Sequence, residues 1–325
     1  MSNKNTVSHD YMSDNRHFAD AINYFIYDGR QVIRPEDLVE ENVIEEIIIK
    51  SFNDLVTSQK IRDIVKRATI KSNGHVTFAI LGIENQSEIH YAMPVRNMVY
   101  DSFNYASQVA KRAKELRVGK EKLRAAEFLS GFGRNDKLNP VITIVINWSD
   151  KRWDGPIRLT DMMPDMEPEL SNVIADYGIN LIDPHNISSF EKFHTMLGDV
   201  LEFIKRQDEE DYLRNMVREK DGKWILDIDS VCAINTFTGA NIPIGNQEEG
   251  EVDMCRATAS LVEEGIEKGM EKGIEKGIEK GTDTVNRLNL ILIDAGRMDD
   301  LAKAAKEPEY QKKLIKELLP DKAGE

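Results

Sequence analysis

Apolar residues first recur at helical spacing at Phe18, Ala21, Ile22 and Phe25, which predicts a helix closed by the turn Asp28-Gly29. Residues 1–15 ahead of it are expected to be disordered. The segment 43–55, with Val43, Ile44, Ile47, Ile48 and Ile49, fits either a helix or a buried strand. Residues 63–70 read as a strand in which basic residues are interleaved with Val65, Ala68 and Ile70. Ser72-Asn73-Gly74 marks a turn, and 76–86 is the return strand. Asp63 and Glu84 thus fall on the two arms of a hairpin. Pro94 suits the first position of a helix. Val95, Met98, Val99, Ala106, Val109, Ala110 and Ala113 then give it one apolar face to about Leu116. The β-branched run 141–147 predicts a further strand, and 179–182 a short one closed by Asp183-Pro184. Ser188, three residues before Glu191, has capping-box spacing and predicts a charged helical stretch from there to about 219. Residues 235–253, rich in Gly, Asn and acid, read as a linker.

The pattern then changes to four copies of a four-residue unit over 265–281: GIEK, GMEK, GIEK, GIEK. On a helix this step aligns Ile266, Met270, Ile274 and Ile278 into one slowly drifting stripe. The i,i+3 Lys–Glu pairs contribute about 0.2–0.5 kcal/mol each, and every Gly costs about 0.8–1 kcal/mol against Ala. Such a helix is marginal unless its stripe docks. Self-association through the C-terminal helices and a spacer expanded by duplication are both open on the sequence. The tail 282–325 is amphipathic as far as Leu319.

Composition narrows the class. The chain has 325 residues with 41% hydrophobic and 31% charged, which fits a globular protein with charged appendages. No apolar run approaches a bilayer span and no secretory signal is readable, so no membrane partner is expected. Cys232 and Cys255 make no disulfide framework and no metal knuckle, and a cytoplasmic location is the simple expectation. The net charge of −14 argues against nucleic acid until its distribution is considered. Residues 60–124 carry 13 Lys and Arg against 6 Asp and Glu, a local +7. That segment is either a phosphate-binding surface or a set of solvated helix faces.

Asp63, Glu84 and Gln86 form D-x(20)-E-x-Q. Side chains two apart on a strand share a face, and a hairpin partner can bring Asp63 beside Glu84 and Gln86. Close carboxylates are costly without a cation, and hard oxygen ligands suit Mg2+. Such a metal polarises a phosphodiester and lowers the pKa of attacking water, while the Gln86 amide can orient a water. The six histidines show no HxH or HExxH spacing, and there is no P-loop.

The segment QKIRDIVKRATIKSNGHVTFAILGIENQSEIHYAMPVRNMVY resembles the recombination-promoting nuclease, transposase-like family of the PD-(D/E)XK nuclease superfamily. The matching pieces are Arg62-Asp63-Ile64, the turn around Gly74, residues 82–87 (GIENQS) and Pro94-Val95-Arg96 to Tyr100. Residues 153–156 and 177–184 and the GIEK repeats extend it, over about 15–215. Arg62 stands where the superfamily has Pro, and Gln86 where it usually has Lys.

The resemblance implies an α/β fold with a restriction-endonuclease-like αβββαβ core and a C-terminal helical extension. The nuclease-like domain would span 16–186, followed by a helical region and linker at 187–264, the repeat at 265–281 and the tail at 282–325. Asp63 and Glu84 would ligate Mg2+, or Mn2+, with Gln86 as the third catalytic residue. Lys66, Arg67, Arg96 and Tyr100 would bind the DNA substrate. Arg96 and Tyr100 are i,i+4 on one helix face, near the phosphate on the family resemblance and otherwise an ordinary polar face. On the local basic balance, Lys60, Lys111 and Arg112 would be further contacts to the DNA backbone, and Asp20 is either an extra acidic ligand or, the plainer reading, an ordinary helix residue. The expected activity is a Mg2+-dependent DNA endonuclease linked to recombination or mobile DNA. The alternative is a DNA-binding or scaffold protein on a catalytically weak nuclease fold, suggested by Gln86 and the acidic whole.

Overall fold

A computed structural model describes residues 3–41, 64–72, 75–119, 124–209, 212–220, 223–244 and 250–319. The expected element at 43–55, together with Lys60 and Asp63, lies outside them. The chain begins with helices α1 (Asn3–Ser13) and α2 (Asn15–Tyr27), then strands β1 (Leu38–Glu40), β2 (Ile64–Ser72) and β3 (His75–Gln86). Helices α3 (Met93–Val118) and α4 (Ala125–Ser130), strand β4 (Val141–Asn147), helix α5 (Pro168–Ser171) and strand β5 (Asn180–Ile182) follow. Next come α6 (Leu197–Arg206), α7 (Tyr212–Glu219), β6 (Ile225–Asp227), α8 (Ile228–Thr238) and β7 (Glu251–Asp253). The last elements are α9 (Met254–Asp294), α10 (Met298–Ala304) and α11 (Pro308–Leu318). The protein is α/β, with two compact units, 1–257 and 258–325.

The sheet runs β1-β2-β3-β4-β5, antiparallel through β3 and parallel from β3 to β5. Strands β2 and β3 form the expected hairpin, with Ser72 opposite His75. A parallel neighbour cannot be reached by a tight turn, so the chain crosses from β3 to β4 through α3. That burial on both faces explains why β4 reads VITIVIN instead of alternating with polar residues. The register sets the two faces. Val65 and Arg67 of β2 share one with Gly82, Glu84 and Gln86 of β3 and with Thr143, Val145 and Asn147 of β4. Helix α3 covers that face, where Thr143 Oγ1 donates to Asp101 at 2.7 Å. The other face carries Lys66, Ala68, Ile83, Asn85, Ile144 and Ile146 and packs against the N-terminal helices.

Helix α2 forms where its apolar spacing predicts. Asp14 caps it by accepting from Arg16 N at 2.7 Å. Asp28 ends it in the left-handed region at φ 55° and Gly29 continues at φ 85°. A side chain at Gly29 would meet the Lys192 carbonyl at 2.7 Å, so the turn and the close approach both require glycine.

Residues 3–13 are helical, against the expected disorder. Helix α1 has little periodicity of its own, and its order comes from distant partners. Met12 and Tyr11 are buried, Tyr11 Oη lies 2.9 Å from Ser230 Oγ of α8, and the Tyr11 ring stacks on His17. The helix expected from Ser188 starts instead at Leu197, because Asp20 fixes the residues just before it: the amides of His194 and Thr195 and Thr195 Oγ1 all donate to its carboxylate at 2.7–3.0 Å. Nor does 187–257 stand apart from the sheet domain, for it belongs to the same compact unit. Within the expected linker, Asn235 brackets Ile242, accepting from its amide at 2.7 Å and donating to its carbonyl at 2.9 Å. Strand β7 there pairs with β6.

In the second unit the GIEK repeat lies inside the 41-residue helix α9. Its stripe residues Met270, Ile274 and Ile278 are 61–65% exposed. The tail packs lower down, where Leu288 and Leu292 of α9 meet Ala304 and Leu314. Among the described residues no helix is long and apolar enough to cross a membrane.

Candidate active site

Glu84 sits on the α3-covered face of β3 with no solvent exposure. Gln86, two residues on, is on the same face and is also buried. The Gln86 carbonyl accepts from Trp148 N at 2.8 Å, which extends the β3–β4 ladder past Asn147. On the opposite face Asn85 Oδ1 accepts from Trp148 Nε1 at 2.8 Å. The end of the site strand is thus held by one tryptophan through both its backbone and its side chain.

The start of α3 brings in the cation. Pro94 stands in its first turn, and Met93 is buried against Val145 and Trp153. That anchor lets Arg96 reach down to the sheet: Nη2 lies 3.2 Å from Glu84 Oε2. Its Nε donates to Tyr100 Oη at 2.8 Å, and the guanidinium lies 5.5 Å from the Tyr100 ring centre. The structure therefore brings Glu84, Gln86, Arg96 and Tyr100 to one face. Ile64 opens β2 opposite Ile83, the residue before Glu84.

Lys66 and Arg67, paired in the sequence reading, are separated. Lys66 is on the far face, 1% exposed, with its ammonium bonded to Ser13 O and Asn15 Oδ1 and 5.0 Å from the Phe18 ring. Burial pushes its pKa down, against the opposing pull of Glu40 and Asp14. In this position it ties β2 to the N-terminal helices and is closed off from a DNA surface. Arg67 is on the Glu84 face, half-exposed, with Nε 3.4 Å from Glu41. Asp20 is buried and committed to His194 and Thr195, so it frames the fold and is not aimed at the Glu84 side.

The sequence reading missed Asp101, Thr143 and Tyr177. Asp101 lies on the buried side of α3 and accepts from Thr143 Oγ1 and Tyr177 Oη. The available signal was its place one turn after Asn97 on the sheet-facing stripe of α3, both residues being buried.

Burial, reinforced by the Arg96 charge, holds the His90 imidazole below its ordinary value. Unfolding releases it to that value, so its neutrality favours the native state above about pH 6.5, and the advantage is lost as pH falls through the lowered native value. An Arg96→Met protein should therefore show a higher His90 midpoint by NMR titration, still below 6.5 because burial, the larger cause, persists. A midpoint unmoved by the substitution would show that the Arg96 charge does not reach the ring.

Glu84 and Gln86 offer oxygen donors of the kind that Mg2+ takes. Among the described residues no group of three or more His, Cys, Asp or Glu is arranged to hold a metal. Compared with protein-family models, with curated proteins and with solved structures, the chain shows no match.

Proposed function

We propose that this chain is a Mg2+-dependent DNA endonuclease of restriction-endonuclease-like fold, acting in recombination or on mobile DNA. The observation that carries the reading is the fully buried Glu84 carboxylate, with Gln86 beside it and Arg96 and Tyr100 brought to it by α3. The order α2, β1, β2, β3, α3, β4 also fits an αβββαβ core. Glu84 and Asp63 would hold the metal, and Gln86 would orient the attacking water through its amide. When bound, Mg2+ supplies charge neutralisation at the phosphate and a lowered pKa for that water. Arg96, a planar donor braced by Tyr100 and paired with Glu84, would turn to a phosphate oxygen on this reading. The test is cleavage of supercoiled plasmid with Mg2+ by wild type, Asp63→Ala and Glu84→Ala. Both variants should lose activity by at least about 100-fold; equal cutting by all three ends the assignment.

One observation favours a second reading, a DNA-binding or scaffold protein without catalysis. Arg96 already neutralises Glu84 in this structure, so the carboxylate needs no metal to be stable. On that reading wild type binds DNA without cutting it, and calorimetry with Mg2+ or Mn2+ gives no signal that depends on Glu84.

Self-association through α9 belongs to the same proposal. Its exposed stripe of Met270, Ile274 and Ile278 is the surface a second copy would cover. Deleting 265–281 should then lower the oligomer size in sedimentation, and an unchanged size leaves the repeat as a spacer.

A further inference from the structure

The α3-covered side of the sheet holds a second feature, a cleft of about 410 Å3 between β2, the C-terminal half of α3 and the segment 132–139. That volume is in the range of small-ligand sites, roughly 300–1,000 Å3. Its walls are built without a ligand. The Gln108 amide clamps Asn139 by two hydrogen bonds, donating to its carbonyl at 3.1 Å and accepting from its amide at 2.7 Å. Arg112 Nε donates to Asp136 at 2.8 Å, and the same carboxylate accepts from Gly133 N at 2.7 Å. These donors hold the Asp136 carboxyl below its ordinary range. The wall made by Gln108, Arg112, Gly133, Asp136 and Asn139 is therefore in place before a ligand enters, which lowers the ordering cost of binding.

The charges in the cleft are of two kinds. Arg112 is committed to Asp136 and Glu115, and Arg67 to Glu41, so these groups largely cancel. Lys111 and Lys137 also line the cleft, and neither has a hydrogen bond or ion pair to another described residue. The paired groups are two arginines against three carboxylates, so with Lys111 and Lys137 the cleft carries a net +1, and its unpaired cations are these two ammonium groups, compact hydrated charges of the kind that bind phosphate as point charges. The lining also includes the half-buried Phe132, an aromatic ring, and Leu138, while the buried Ile80 closes the floor. A phosphate beside a flat apolar group is the chemistry of a nucleotide, whose base can stack on such a ring.

We infer that this cleft is a nucleotide-binding site, in which Lys111 and Lys137 take the phosphate and the Phe132 ring takes the base. It lies on the same sheet face as Glu84: Ile80 pairs with Arg67 and precedes Glu84 by four residues of β3, roughly 13 Å. The nucleotide can be free or part of a strand. In the second case the cleft holds a point on the DNA a few phosphates away from Glu84, at about 3.4 Å of duplex axis per phosphate of one strand. Binding at the cleft stands on its own lining and does not require that Glu84 cut anything.

The experiment measures binding of AMP, of inorganic phosphate and of a fluorescent 5′-phosphorylated single-stranded DNA to the full chain in EDTA, where cutting plays no part. Both lysines are exposed, so the charge-reversed Lys111→Glu/Lys137→Glu protein tests the site without disturbing the core. Wild type should bind AMP or the strand saturably, and phosphate alone more weakly because it leaves the apolar surface unused. The double variant should lose at least about 10-fold in affinity, and Phe132→Ala should weaken the nucleotide but not phosphate. AMP and DNA both bound with the same lysine dependence identify a free-nucleotide site that a strand can also enter. DNA bound and AMP not bound identifies a backbone subsite. Saturable binding of neither, or binding unaffected by reversing both lysines, overturns the inference.

Discussion

Arg96→Met is expected to cost the folded protein about 3 kcal/mol in the absence of divalent metal. The reason is the burial of Glu84. Its carboxylate has no exposed surface and has the Arg96 guanidinium 3.2 Å away, so removing the arginine takes a close cation from a buried anion. Breaking such a pair from one side typically costs about 3–5 kcal/mol, and the lower end applies because Arg96 is itself a quarter exposed. Methionine keeps much of the stem packing, which isolates the charge. The Glu84→Gln/Arg96→Met double variant should recover a good part of the loss, since the buried negative charge is then removed together with its close cation. Urea unfolding of wild type, Glu84→Gln, Arg96→Met and the double variant measures this directly. Millimolar Mg2+ separates the two functional readings. If Glu84 belongs to a metal site, Mg2+ should restore about 1–2 kcal/mol to Arg96→Met and nothing to the double variant. Equal response of all four proteins to Mg2+ would count for the scaffold reading.

Trp148→Ala should be the most damaging single change in the core, at about 3–5 kcal/mol. Trp148 is fully buried, donates to Asn85 Oδ1 at 2.8 Å, stacks on Phe237 of α8 at 4.8 Å and meets Tyr11 of α1 edge-on at 6.2 Å. One side chain thus joins β3, α8 and α1. Trp148→Phe keeps a ring against Phe237 and gives up chiefly the hydrogen bond and some volume, so about 1–2 kcal/mol is expected. In Trp148→Ala the N-terminal helix should also become the earliest site of limited proteolysis. Equal midpoints for the two variants in urea would show that the ring carries no more than its polar edge.

Much of the site strand can be read in the sequence because it depends on parity. Glu84 and Gln86 share a face by the two-residue period, and Arg96 and Tyr100 meet by the helical one. The same parity separates Lys66 from Arg67, and grouping them as joint phosphate contacts overlooked it. Other features depend on contacts that no local pattern announces. Helix α1 is polar and weakly periodic, and its order comes from Tyr11 and Met12 meeting residues as far away as Ser230. The start of α6 is set by Asp20, more than 170 residues earlier. The Arg96–Glu84 pair joins a helix start to a strand end, and only the crossover through α3 brings them together.

The repeat in α9 gives the second unit an adjustable length. A unit of four residues on a helix is a screw step of about 6 Å along the axis and about 40° around it. Inserting or removing one unit leaves every Ile, Glu, Lys and Gly in the same relation to its neighbours, so the helix itself is indifferent to the copy number. The α10–α11 cluster on Leu288 and Leu292 is carried through that step as a body. Measured along α9 alone, a change of copy number would shift the tail along and around the helix together, with nine unit changes bringing it back to about the same rotation some 54 Å further along.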